Sequence, residues 1–261
     1  MHYIDRGTGA PIVMLHGNPS WSFFYRNITE SLAKTHRVIA PDHVGMGLSD
    51  KPQNTVYNLA FHIGNVERLI QHLKLHDITL IVHDWGGAIG FGYAVNHIEN
   101  IKKIVILNSS AFYDAQIPRR ISVCRGMLSK FLVRRLNLFA RAATYMTTTK
   151  RLPKEIRRGY LLPYDSYKNR VGVYSFLKDI PMENEHETKP LLDAIESKLS
   201  KIKSDILILW GKKDFCFTEH FLDRWKMFFP NAKVKTYANA GHYILEDVFD
   251  EALAEIEEFI A

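Results

Sequence analysis

His83-Asp84-Trp85-Gly86-Gly87 carries the strongest chemical signal in this chain. The apolar run Ile78-Thr79-Leu80-Ile81-Val82 precedes it, and Ala88-Ile89-Gly90-Phe91-Gly92-Tyr93-Ala94 follows it. A buried strand, a tight turn and a helix in that order form a nucleophile elbow, a strained turn that projects one reactive side chain into a pocket. Here the reactive position holds a carboxylate, Asp84, in place of a hydroxyl. A carboxylate needs no base to activate it. It displaces a leaving group at carbon and leaves a covalent ester.

Opening such an ester with water requires a general base. His242 is the candidate, because Gly241 before it marks a loop after the last apolar run and the order nucleophile, acid, histidine suits an elbow of this kind. The third member should orient the histidine and stabilise its imidazolium. Asp214 stands just past the run that ends at Trp210, whereas the equivalent place after Leu107 holds Asn108, which is not an acid. Glu246 and Asp247 are assigned to the helix that follows His242. A leaving anion needs hydrogen-bond donors. Asn18, in His16-Gly17-Asn18-Pro19, offers its amide N–H, and Trp85 offers its indole N–H. The backbone N–H groups of the same two residues would form an anion hole.

These residues need a frame that brings them together. Pro11 to Leu15, Arg37 to Pro41, Ile78 to Val82, Lys103 to Leu107, Asp205 to Trp210 and Ala232 to Tyr237 are short apolar or β-branched runs. Runs of this kind fit buried parallel strands. Helical patterns lie between them over Trp21–Ala33, Leu59–Leu73, Ala88–Asn96, Glu219–Phe229 and Asp247–Ile260. Strands alternating with helices predict an α/β protein with a doubly wound, mostly parallel sheet, whose chemistry sits at the C-terminal strand ends. Residues 1–111 and 201–261 are expected to build that core. Residues 112–200 are helix-rich without a strand pattern, and are expected to form an inserted helical cap. Arg119 to Lys150 within it predicts an amphipathic face carrying Ile121, Leu128, Phe131, Leu132 and Phe139.

A chain of 261 residues with 46% hydrophobic content fits one such domain with an insertion. Its start lacks the charged and apolar regions of a signal peptide, and no stretch reaches about 18 charge-free apolar residues. Two cysteines, Cys124 and Cys216, make neither a disulfide framework nor a metal quartet. A reduced, cytoplasmic protein without cofactor or metal is expected. The net charge of +6 is concentrated between Asp114 and Ser175, where fourteen Lys/Arg face three acids. No nucleic-acid motif accompanies that charge, so it is expected to be a solvated surface, or one that meets an anionic membrane or partner enzymes peripherally.

From about Tyr3 to Ile260 the chain resembles the haloalkane dehalogenases of the α/β-hydrolase superfamily. His16-Gly17-Asn18-Pro19, Gly45-Met46-Gly47-Leu48-Ser49-Asp50-Lys51-Pro52 and His83-Asp84-Trp85-Gly86-Gly87 carry the resemblance. It implies Asp84 as nucleophile, His242 as base, Asp214 as acid, and Asn18 and Trp85 as the halide clamp. An acid after this later strand is found in some subfamilies only. His43 stands where many dehalogenases carry Leu. The segments Leu136–Ala143, Gly159–Ser166, Lys178–Pro181 and Trp210–Phe215 are similar to the dehalogenase-like β-lactone decarboxylases of bacterial long-chain olefin biosynthesis. Those convert a cis-β-lactone with two alkyl chains into an alkene and CO2. Phe112, Phe131, Phe139, Leu161, Leu162 and Phe176 could then line an alkyl pocket or form the core of the cap.

Three alternatives remain at this level. A haloalkane dehalogenase would use water and His242 to release an alcohol. An epoxide hydrolase shares the Asp nucleophile but uses two cap tyrosines; Tyr145, Tyr160, Tyr164, Tyr167 and Tyr174 are available, while Asn18 stands where an aromatic residue is preferred. A non-catalytic ligand-binding protein would not need the intact Asp84, His242 and Asp214 set.

Overall fold

The computed structural model describes residues 1–115, 125–126 and 128–261. Ile121 and Cys124 lie outside the described residues. Among the described residues seven strands form one sheet: β1 (Tyr3–Arg6), β2 (Pro11–Leu15), β3 (Arg37–Pro41), β4 (Ile78–Asp84), β5 (Ile101–Ser109), β6 (Asp205–Gly211) and β7 (Lys233–Tyr237), in the order β1-β3-β2-β4-β5-β6-β7. Only β1 runs antiparallel, against β3. The others pair in parallel.

The central strands are continuous apolar runs because both faces of the sheet are covered. Val13, Leu15, Leu80 and Val82 enter one core, with Ile104 and Ile106. Ile12, Met14, Ile81 and Val105 enter the other, with Leu107 and Leu207. Alternation by residue therefore splits a uniform run into two cores. The edge strand β1 has half-buried and exposed positions only, so it lacks that signature, and the sequence pattern did not single it out.

Helix α2 (Leu59–Leu73) spans the residues its periodicity predicts. Asn58 caps it, its side-chain oxygen accepting from the Phe61 N–H at 3.0 Å. Leu59, His62, Val66, Leu69 and Ile70 make its buried stripe. The segment expected to be one helix over Trp21–Ala33 is a 3-10 turn, Ser22–Tyr25, followed by α1 (Arg26–Leu32). Helix α3 (Trp85–Ala94) begins directly after Asp84, three residues before its apolar pattern starts.

Between β5 and β6 the described residues hold four α-helices and no strand: α4 (Leu138–Met146), α5 (Lys154–Leu161), α6 (Val171–Lys178) and α7 (Lys189–Glu196). The amphipathic face anticipated before Lys150 does not pack as a unit. Leu128 is 68% exposed and Phe131 54% exposed, whereas Val133, Ala140 and Ala143 are buried. The reason is local: Asn137 takes a left-handed conformation (φ +55°), which resets the helical phase ahead of α4. The chain closes with α8 (Glu219–Phe228), a short α9 (Ile244–Asp247) and α10 (Phe249–Ile260).

Candidate active site

Asp84 ends β4 with φ +52° and ψ −126°, a backbone conformation L-residues rarely adopt. The turn can close because its neighbours are small. A Cβ on Gly86 would lie 1.9 Å from the Leu15 carbonyl oxygen, and one on Gly17 would lie 1.9 Å from Asp84 Oδ1. The elbow therefore presses the carboxylate onto the loop after β2. There the backbone N–H of Asn18 donates to Asp84 Oδ1 at 2.6 Å, and the backbone N–H of Trp85 also donates to this carboxylate. Burial pushes the Asp84 pKa up; the His242 charge and the two backbone bonds oppose this, and the net direction is upward.

His242 sits in the loop after β7. Its Nδ1–H donates to Asp214 Oδ2 at 2.7 Å, and its Nε2 lies 3.6 Å from Asp84 Oδ2. Burial works against its charge, but the Asp214 charge and hydrogen bond, and then Asp84, outweigh burial and raise its pKa. The structure thus brings Asp84, His242 and Asp214 into one buried line. Asp214, just past β6, is held on both oxygens: Oδ1 accepts from the Cys216 N–H at 2.7 Å and Oδ2 from Asn108 Nδ2 at 3.0 Å.

Asn108 is more than a non-acid at the end of β5. Its Oδ1 accepts from the Gly211 N–H at 2.8 Å while its amide steadies Asp214. One side chain thus ties the ends of β5 and β6 together beneath the triad. His83 has a similar supporting place: its Nε2–H donates to the His242 carbonyl at 2.9 Å. Asp247 Oδ2 accepts from the Gly241 N–H at 2.8 Å, fixing the same loop, and Glu246 pairs with both terminal nitrogens of Arg26. The sequence carried only one hint of these roles, namely polar residues punctuating strand ends.

Asn18 Nδ2 donates one hydrogen to the Val173 carbonyl on α6 at 3.1 Å, which leaves its second amide hydrogen available. The Trp85 ring packs on Phe176, with centroids 5.4 Å apart. Two cavities meet at Asp84 and Trp85, of about 130 Å3 and about 340 Å3. Asn18 and His242 line the larger. Of the apolar residues anticipated as lining, Phe112 and Phe139 reach a cavity. Phe176 instead backs Trp85, while Phe131 and Leu162 face outward. None of the five tyrosines named for epoxide chemistry lines either cavity; Tyr160 donates to Glu246 and Tyr164 to the Ser20 carbonyl.

The chain matches the alpha/beta hydrolase fold family over residues 10–248. It is 43% identical to a cis-3-alkyl-4-alkyloxetan-2-one decarboxylase of Shewanella oneidensis, over all of this chain and 85% of that protein. Identity to the protein of the same name from Xanthomonas campestris is 38%, over all of this chain and 92% of that one. A haloalkane dehalogenase of Mycobacterium tuberculosis is 30% identical over 99% of this chain and 90% of its own length. The crystal structure of the haloalkane dehalogenase DatA from Agrobacterium tumefaciens superposes with a TM-score of 0.90. It covers 99% of this chain and 91% of that one at 22% identity, a likeness of fold.

Proposed function

The chain belongs to the α/β-hydrolase family and, within it, to the family of the cis-3-alkyl-4-alkyloxetan-2-one decarboxylases, and from that premise we propose a mechanism for converting such a β-lactone into an alkene and CO2. The observation that carries the mechanism is a carboxylate, not a hydroxyl, at the elbow. Asp84 Oδ2 attacks ring carbon 4, forming a C–O bond as the bond from that carbon to the ring oxygen breaks. The electron pair passes to the ring oxygen, which becomes part of a carboxylate. Asn18 Nδ2–H and Trp85 Nε1–H are the donors for that charge.

The ester on Asp84 now has a carboxylate on the adjoining carbon. Loss of CO2 returns the electron pair of the broken C–C bond as the alkene π bond, and the C–O bond to Asp84 breaks in the same step. Asp84 regains its carboxylate, with no water consumed and no proton moved. His242, oriented by its hydrogen bond to Asp214 Oδ2 and with Nε2 3.6 Å from Asp84 Oδ2, stabilises the departing Asp84 charge. A dehalogenase cycle differs at this point, because an alkyl ester without that carboxylate can leave only by attack of water.

The test is gas chromatography and CO2 capture after incubation with a synthetic cis-3,4-dialkyl β-lactone. The wild type should release the alkene and CO2 in equal amounts, and Asp84→Ala should release neither while remaining folded by circular dichroism. A β-hydroxy acid as the product, or alkene formation by Asp84→Ala, would overturn the mechanism.

No helix among the described residues is long and apolar enough to cross a membrane. Exposed Leu136 and Leu138 stand beside exposed Arg135 and Arg141, and exposed Leu162 beside Arg158 on the neighbouring α5. Apolar tips among cations suit an anionic lipid surface, and we propose peripheral contact there. Flotation with phosphatidylglycerol vesicles, weakened by salt and absent with phosphatidylcholine, is the expected result. Failure to float, or capture by protein partners alone, would remove the proposal.

A further inference from the structure

The two cavities share four residues, Asp84, Trp85, Ile180 and Cys216, and are otherwise lined by different parts of the chain. The smaller is lined beyond the elbow by Ala88, Phe112, Tyr113 and Leu192, and by Phe217 and Phe221, before and on α8. The larger runs beneath α4 towards Phe139, Ala142 and Met146, with Leu177 and Phe215 on its sides. Both linings are mostly aromatic and aliphatic; away from the catalytic groups, Ser110, Tyr113 and Asp114 are the polar residues of the smaller branch and Thr147 that of the larger. A forked apolar cavity with the nucleophile at the fork fits a substrate with two apolar arms rooted at the reacting centre.

The fork is held in place. Asp179, immediately before Ile180, is buried; it accepts from the Thr188 hydroxyl ahead of α7 and from the Leu59 N–H at the start of α2. Ile180 and Pro181 are thereby anchored to the sheet domain on one side and to α7 on the other. A residue fixed at both flanks can divide two chains, because its side chain has little room to fold away.

Resting on the β-lactone reading above, we propose that the two alkyl chains of the substrate separate at Ile180, one entering each cavity, so that chain length is selected independently at the two positions. In a cis-3,4-dialkyl ring the chains leave adjacent carbons on one face. With the ring over Asp84 their roots lie together at the shared residues, and the fork is where they part. The larger branch beneath α4 takes the bulkier chain. Ala142 is the selecting residue there, and Leu192 is its counterpart in the smaller branch.

The experiment uses two unsymmetrical cis-β-lactones, one with a long chain on carbon 3 and methyl on carbon 4, the other reversed. Ala142→Phe narrows the larger branch and Leu192→Phe the smaller. Each variant should lose kcat/KM on one isomer by about 10- to 200-fold more than on the other, the discrimination that methylene-scale fit supplies, and the two variants should discriminate in opposite senses. Leu192→Ala, which widens the branch instead, covers the case in which Leu192→Phe does not fold; it should shift preference towards a longer chain at the same ring position that Leu192→Phe rejects. Loss on the same isomer in the larger-branch and smaller-branch variants means a single shared path and overturns the inference. So does a lack of isomer preference in all three variants. Binding of the matching cis-3,4-dialkylazetidin-2-ones, read by thermal shift, needs no turnover and should show the same crossed pattern. Crossed binding in a protein that makes no alkene would defeat the decarboxylation mechanism while leaving the fork standing; uncrossed binding would defeat the fork itself.

Discussion

The sheet side and the helical-insert side of the site are built on opposite principles. From the sheet come the reacting polar groups: Asn18 after β2, Asp84 and Trp85 at the elbow, Asp214 after β6 and His242 after β7. Asp214 and His242 are fixed by bonds from other strand ends, Asn108 to Asp214 and His83 to the His242 carbonyl, and Asp84 by the Asn18 N–H. The insert contributes Phe139, Ala142, Ala143, Met146, Leu177 and Ile180, apolar groups held by packing. Reaction chemistry therefore resides on the sheet side, while substrate fit is shared between the insert and the residues that follow β6. Hydrogen-bonded groups fix angles; packed apolar groups fix only volume. Changes on the sheet side should alter the rate, and changes on the insert side should alter which substrate reacts.

The division can be broken most severely at His242. A bromoalkane should alkylate Asp84 to an ester lacking the adjoining carboxylate, and that ester needs water activated by His242. His242→Ala should slow its release by roughly 10³ or more, so that the adduct on Asp84 accumulates and is seen by mass spectrometry. The same variant should lose only about tenfold on a β-lactone, an electrostatic share of about 1.4 kcal/mol. Equal losses on both substrates would show that His242 acts in a step common to the two.

Next in size are the anion donors. Removing one donor aimed at developing charge costs about 10²–10³ in rate. Asn18→Ala and Trp85→Phe should each fall in that range on a β-lactone while melting close to wild type. Trp85 also packs on Phe176, so a purely structural role predicts the reverse: a lowered melting temperature with turnover spared.

What the sequence made legible follows the same divide. The elbow could be read because its parts are local: one apolar strand, two glycines and a helix within a few residues. Leu59–Leu73 could be read because one stripe of apolar residues specifies it. Asn108 was recognised only as a non-acid, since its value lies in contacts to Gly211 and Asp214, more than a hundred residues away. The insert was legible as helical but not in its orientation. Leu161 and Leu162 have the same character as Phe139, yet only Phe139 lines a cavity, because the left-handed Asn137 and the packing of α4 decide which faces turn inward. The edge strand β1 carried no apolar alternation to find.

Asn108 offers a smaller test of whether the sheet side works by positioning. Its φ of +32° makes Ala a strained replacement, so Asn108→Gly is the cleaner variant. Losing a hydrogen bond to a buried charged group should cost about 1.5–3 kcal/mol in a denaturant melt. Release of the bromoalkane-derived ester should slow by about tenfold, consistent with a misplaced base rather than a missing one. Its pH–rate profile should move, because Asp214 sets the His242 pKa. A melt deficit with an unmoved profile would make Asn108 a purely structural residue.

The smallest expected effect concerns histidines that sit behind the reacting groups and take no part in the reaction. Burial holds His16 down to about 4 and pushes His43, His62 and His83 well below their ordinary 6.5. In the unfolded chain each would take up a proton near 6.5, so acid favours unfolding: stability is complete above that pH and lost as pH falls below it. For His16 the drop from 6.5 to about 4 corresponds to about 3 kcal/mol, lost progressively below pH 6.5 and in full only below about pH 4. His242 has the opposite sign, since its raised pKa stabilises the fold below 6.5 and that contribution is lost as pH rises through the folded value. Asp84 and Asp179, whose carboxyls burial raises, share that sign, Asp179 to about 6. With four buried histidines set against these three groups, melting temperature should fall from pH 7 towards pH 5. His62 isolates the effect, because neither ring nitrogen has a hydrogen-bond partner among the described residues and its ring stacks on Phe176 at 4.3 Å. His62→Leu removes a buried polar group without orphaning another, so it should leave neutral-pH stability unchanged or raise it by about 1 kcal/mol. It should also flatten the acid limb of the stability curve. An acid limb as steep as that of the wild type would mean that His62 keeps its neutral form for some other reason, and would shift the acid sensitivity onto His16, His43 and His83.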